Sequence, residues 1–75
     1  GDNHPQTARS LGGLGIVQFK LGRFDEAEKN LLAAFDIYTS ELGEAHIKTV
    51  DMQAWLRNFY EKTGNPEKAK EYSAD

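Results

Sequence analysis

The feature that most constrains this chain is that it nearly repeats itself. Gly1 and Gly43, His4 and His46, Thr7 and Thr49, and Gly22 and Gly64 are each separated by 42 residues. At the same offset Leu14 matches Leu56, Lys20 matches Lys62 and Ala27 matches Ala69. Seven of the 33 overlapping pairs are therefore identical, where unrelated sequence would give about two. Asp2 with Glu44 and Asp25 with Glu67 match in charge. A period of this length belongs to stacked supersecondary units, each of which closes its apolar face against a neighbour. The chain thus reads as one segment, 1–75, with repeat one at about 1–42 and repeat two at about 43–75.

Hydrophobic spacing makes the unit helical. Leu11, Leu14, Val17, Gln18 and Leu21 fall on one face of a first helix that opens at His4-Pro5 and closes at Gly22. Phe24, Ala27, Leu31, Ala34, Phe35 and Tyr38 make the stripe of a second helix. Its first turn carries Asp25, Glu26 and Glu28, and it stops near Gly43. A third, from about His46 to Thr63, carries Val50, Leu56, Phe59 and Tyr60 and closes at Gly64. Asn65 as N-cap, Pro66 and Glu67 then open a fourth, with Ala69 and Tyr72 on its apolar face, cut short at Asp75. No strand-like alternation occurs, and the short turns make successive helices antiparallel. The fold class expected is all-α: two tandem helix-turn-helix repeats, an α-solenoid fragment whose second repeat is truncated or capping.

Composition limits what such a fragment can do. Hydrophobic residues at 39% and charged residues at 28% belong to a folded chain rather than a disordered tail. Seventy-five residues leave little stability margin for a single core. The net charge of -3, with neither sign gathered in a block, gives counterion release little to act on, so nucleic acid is not an expected partner. Cysteine is absent, which removes disulfides and thiolate zinc sites. No apolar stretch approaches the roughly 20 residues needed to span a bilayer, and Gly1-Asp2-Asn3-His4-Pro5 lacks a signal-peptide pattern, so no membrane role is expected. The expected setting is cytoplasmic, and a start at Gly rather than Met suggests a processed or excised chain.

With these residues in view, the chain resembles the tetratricopeptide family. The family's pattern is a large residue, then Leu-Gly, then an aromatic, then Ala and Phe in the second helix. Repeat one offers Leu11, Leu14, Gly15, Gln18, Ala27, Leu31 and Ala34 at those positions, with Gln18 departing from the aromatic. The usual unit has 34 residues. The eight extra, with Gly-x-x-His before the first helix and Gly22-Arg23-Phe24-Asp25-Glu26-Ala27-Glu28 between helices, resemble the longer kinesin-light-chain-like variety. Small Gly15 and Ala27 would let the paired helices approach, with Leu14, Leu31 and Phe35 filling the space between them. Repeat two departs further, since Gln53, Arg57 and Ser73 stand where repeat one has Leu11, Gly15 and Leu31. Polar replacements of this kind suit a capping unit, and sequence drift would look the same.

The motifs that suggest catalysis have structural explanations. Gly12-Gly13-Leu14-Gly15 lacks the preceding strand and the Gly-Lys-Ser/Thr ending of a phosphate loop, and lies inside a helical period. Gly12 and Gly13 carry no packing role in this reading, and each weakens the helix by about 1 kcal/mol relative to Ala. His4 and His46 occupy equivalent helix starts without a second ligand, so they read as local hydrogen-bonding groups rather than a metal site. Asp25, Glu26 and Glu28 read as solvated charge on a first turn. Ser10, Ser40 and Ser73 sit in no nucleophile elbow. No enzyme and no cofactor are expected.

What remains is a surface. In the tetratricopeptide family the first helix of each pair lines a concave face that holds a peptide. By that resemblance the face would comprise Arg9, Gly12, Gly13, Ile16, Phe19 and Lys20 from repeat one. Repeat two would add Asp51, Ala54, Trp55, Asn58, Glu61 and Lys62. Ile16 and Phe19 lie off the core stripe and would gain by being covered, although Phe19 could instead seal the helix ends. Trp55 fits either core or groove. Asn58 could hydrogen-bond a peptide backbone, and Arg9, Lys20 or Lys62 could meet acidic side chains. Gly12-Gly13 and Ala54-Trp55 replace the pair of asparagines typical of kinesin-light-chain-like repeats, so their backbone grip is not carried over. The function expected is a protein-protein interaction scaffold for a protein or peptide partner. The alternatives are a structural cap, self-association with another copy or further repeats, and a regulatory appendage of a larger signalling enzyme.

Overall fold

A computed structural model describes residues 4–73. Four helices follow in order: α1 (Pro5–Lys20), α2 (Phe24–Leu42), α3 (Ile47–Lys62) and α4 (Pro66–Glu71). There is no strand among the described residues. α1 packs on α2, α2 on α3 and α3 on α4, with a small direct contact between α1 and α3.

The punctuation repeats with the sequence. His4 and His46 both cap helices, their Nδ1 atoms accepting from the backbone N–H of Gln6 at 3.2 Å and of Lys48 at 3.1 Å. Asn65 Oδ1 accepts from Lys68 N–H at 3.4 Å. At the other end, Gly22 and Gly64 take φ of 81° and 80°, which only glycine adopts freely. Each lets the next residue fold back: Arg23 N–H donates to Gln18 O and Asn65 N–H to Tyr60 O, both at 2.8 Å. With Gly22 N–H on Phe19 O and Gly64 N–H on Glu61 O, the result is the same Schellman turn twice, 42 positions apart.

The core is centred on α2. Ala27, Leu31 and Ala34 are fully buried, together with Ala8 from α1 and Leu56 from α3, and Tyr38, Met52, Phe59, Tyr60 and Ala69 complete the cluster. Gly15 admits this packing, because a Cβ there would stand 2.9 Å from Leu31 Cγ. The expected stripe of α1 needs correcting. Its buried face is Ala8, Gly12, Gly15 and Gln18, whereas Leu14, Val17 and Leu21 are 48%, 52% and 68% exposed. Leu14 therefore does not fill the α1–α2 space. The repeat mates Leu56 and Phe59 are buried because α2 precedes α3, and no described helix precedes α1. Gly12 also has a packing role after all, facing Met52 and Ala34.

α4 is much shorter than α2, six residues against 19. α4 ends at Glu71, and Asp75, where the sequence reading had it stop, lies outside the described residues. Six residues of helix rise only about 9 Å, too little to reach Val50, which is exposed although its repeat mate Ala8 is buried. Gln53, the polar replacement for Leu11, donates through Nε2 to Tyr72 O and Ser73 O, both at 3.1 Å, and so satisfies carbonyls at the end of α4.

Polar contacts also tie α2 to its neighbours. Gln18, buried, receives Asn30 Nδ2 on its Oε1 at 2.8 Å and donates to Glu26 Oε2 at 3.3 Å. Its repeat mate Tyr60 donates its hydroxyl to Glu28 Oε2 at 2.7 Å, while Lys68 Nζ lies 3.7 Å from the same oxygen and 5.4 Å from the Tyr60 ring centroid. Burial, and then the Glu28 carboxylate, push the Tyr60 phenol well above its ordinary range. Glu28 is thus a bridging group among α2, α3 and α4 rather than the solvated charge its position suggested.

Candidate functional site

The face of α1 turned away from its exposed leucines, together with the adjoining part of α3, borders a shallow depression of about 510 Å³. Arg9, Gly12, Gly13 and Ile16 come from α1, Lys48, Asp51, Met52 and Trp55 from α3, and Tyr38 from α2. The spacing of the α1 residues is that of one helical stripe, and Asp51 and Trp55 stand one turn apart on α3. A second depression of about 210 Å³ follows along α3, lined by Asp51, Ala54, Trp55 and Asn58. Trp55 belongs to both, and is partly buried against the core.

The small residues shape this surface. A Cβ on Gly13 would meet nothing within 4 Å, so its missing side chain leaves open space beside Ile16. Gly12 instead sits close to Met52, whose Sδ would lie 3.1 Å from an added Cβ. The floor is apolar. Its rim carries Arg9 and Lys48 as cations and Asp51 as an anion, and none of the three is in an ion pair among the described residues.

The expected surface residues divide accordingly. Arg9, Gly12, Gly13, Ile16 and Trp55 come together around the first depression, with Asn58 joining Trp55 at the second. Phe19, Lys20 and Lys62 line neither. Phe19 packs among aromatic rings, 5.2 Å from Phe59, 6.0 Å from Phe24 and 6.5 Å edge-on from Trp55. Lys20 and Lys62 are exposed in the last turns of their helices, where they complement the C-terminal dipole. Tyr38, Lys48 and Met52 were not anticipated. Tyr38 was visible in the α2 stripe, but only tertiary packing brings it to this floor.

The histidines are engaged as caps, and no group of three or more His, Cys, Asp or Glu side chains among the described residues could hold a metal ion. No helix among them is long and apolar enough to cross a membrane. Arg9, Lys48, Asp51 and the apolar floor can hydrogen-bond, pair charge and cover apolar groups, which is recognition chemistry. Comparison with known families matches residues 1–40 to the tetratricopeptide repeat. No curated protein and no solved structure matches the chain.

Proposed function

The chain belongs to the tetratricopeptide repeat family, whose repeats generally serve as protein-interaction modules, and on that premise we propose that it binds an extended peptide or a partner loop across the α1–α3 depression. The observation that carries this reading is Trp55, which lines two adjoining depressions, the first of them also bordered by Gly13, where a missing side chain leaves open space. A large apolar side chain of the partner covers Ile16 and Trp55, Asn58 bonds its backbone, and Arg9 meets an acidic group, with Lys20 and Lys62 contributing charge at longer range. We assign the unit to the longer kinesin-light-chain-like variety, supported by the 42-residue spacing and the two matching Schellman turns.

Panning a random peptide display library against the chain tests the proposal. Selected peptides should change Trp55 fluorescence, and Ile16→Ala and Arg9→Glu should each weaken them at least about tenfold with the helical circular dichroism intact. Selected peptides that bind both variants as well as the unaltered chain would overturn it.

A second reading, contact with a further helical pair or another copy, is favoured by the exposed row Leu14, Val17 and Leu21. Sedimentation should then show mass rising with concentration, and Leu14→Glu should return the chain to a monomer. A monomer at every concentration sinks it.

A further inference from the structure

Away from the α1–α3 depression, a pocket of about 290 Å³ opens where α4 ends against α2 and α3, lined by Phe35, Glu44, Thr49, Gln53, Glu71 and Tyr72. We infer that this pocket receives a guanidinium group, presented by an arginine side chain of a partner polypeptide.

The first observation is an unsatisfied hydroxyl. Thr49 is 1% exposed, and its Oγ1 has no hydrogen-bond partner. Buried hydroxyls are nearly always bonded, so an orphan on a pocket wall marks a place where a ligand group would be satisfied. Gln53 is the second. Its amide nitrogen is committed to Tyr72 O and Ser73 O, which fixes the orientation of the amide and leaves Oε1 as an acceptor.

Charge gives the third. Glu44 and Glu71 both line the pocket, no basic side chain does, and neither carboxylate is in an ion pair among the described residues. The Tyr72 phenol is raised by burial and then by Glu71, Asp36 and Glu28, so it stays neutral and the surrounding field is negative. The pocket thus offers two carboxylates and Gln53 Oε1 as acceptors, beside the Thr49 and Tyr72 hydroxyls, which can accept as well as donate.

Shape selects among cations. Phe35 and Tyr72 meet edge to face, 5.5 Å between centroids and 82° between planes, so aromatic walls stand beside the oxygen acceptors, and no group of three or more His, Cys, Asp or Glu among the described residues could hold a metal ion. A bare metal ion gains little from such walls and prefers a full set of oxygen ligands. A planar guanidinium stacks on a ring face while its five N–H donors point outward to separated acceptors, which an ammonium point charge does less well. The same chain already holds one cation over a ring, Lys68 above Tyr60.

The test uses the whole chain and N-acetyl-arginine amide, followed by NMR titration of the Gln53 side-chain amide, Thr49 and Tyr72 signals. N-acetyl-citrulline amide, the neutral isostere, and methylguanidinium serve as comparison probes. Arginine amide should shift these three residues and bind at least about tenfold more tightly than citrulline amide. Glu44→Gln with Glu71→Gln should remove that preference, and Ile16→Ala in the other depression should leave it unchanged. Equal binding of the citrulline amide, or no shift at these residues at millimolar arginine amide, would overturn the inference. Methylguanidinium binding as tightly as the arginine amide would overturn the polypeptide source and assign the pocket to a free small cation.

Discussion

Leu56→Ala is expected to cost about 2–5 kcal/mol, and Leu14→Ala less than about 1 kcal/mol, although the two leucines occupy the same place in successive repeats. Leu56 is fully buried between α3 and its neighbours, so truncation opens a cavity, while Leu14 is 48% exposed and loses little. A chain of this length has a total stability of roughly 4–11 kcal/mol, so the first change removes a large fraction of it. Thermal unfolding followed by circular dichroism should show a midpoint lowered by about 10–30 °C for Leu56→Ala and by a few degrees at most for Leu14→Ala. Similar losses at the two sites would mean that α1 is covered as α3 is, and that the arrangement of helices given above is wrong.

A second pair of variants lies two residues apart on one helix. Gly15→Val should destabilise by about 3 kcal/mol or more, because even a Cβ there would meet Leu31 Cγ at 2.9 Å and the Leu31 backbone N at 3.1 Å. The backbone contact cannot be relieved by a rotamer change; α1 and α2 would have to move apart. Gly13→Ala should do the opposite. Nothing lies within 4 Å of its added methyl, and alanine is the better helix former by about 1 kcal/mol, so the unfolding midpoint should rise by about 4–8 °C. The same methyl intrudes on the space beside Ile16 and Trp55, so peptides selected by the unaltered chain should bind Gly13→Ala less well. Denaturant unfolding of both variants checks the signs, and a stabilised Gly15→Val would refute the close approach of α1 and α2.

The helix limits were legible in the sequence because their signals are local: His4-Pro5, Gly22, Gly64 and Asn65-Pro66 act within one turn of where they stand. Which face of a helix is buried is not a local property. Leu14 and Leu56 look alike in sequence, and only the presence of α2 ahead of α3 separates them. Gln18 read as a flaw in the pattern, yet it bridges Glu26 and Asn30 as Tyr60 bridges to Glu28, a matching that needs the fold to be seen. On the candidate surface, Arg9, Gly13 and Ile16 were named through the family resemblance, which puts the first helix of each pair on the concave face, and they line one depression with Trp55. Phe19 was named with them by the same resemblance, with the sealing of the helix ends as its alternative, and its ring packs against Phe59 and Phe24 across the turn.

Because each helix packs chiefly on the one next to it along the chain, the native contacts join segments that are already close in sequence. The loops closed on the way to the folded state are short, and the search demands no meeting of distant ends. Such a topology belongs among the fast folders, with relaxation on the order of microseconds to milliseconds. A polypeptide of this kind can acquire its form almost as it is made, one hairpin serving as the template on which the next condenses.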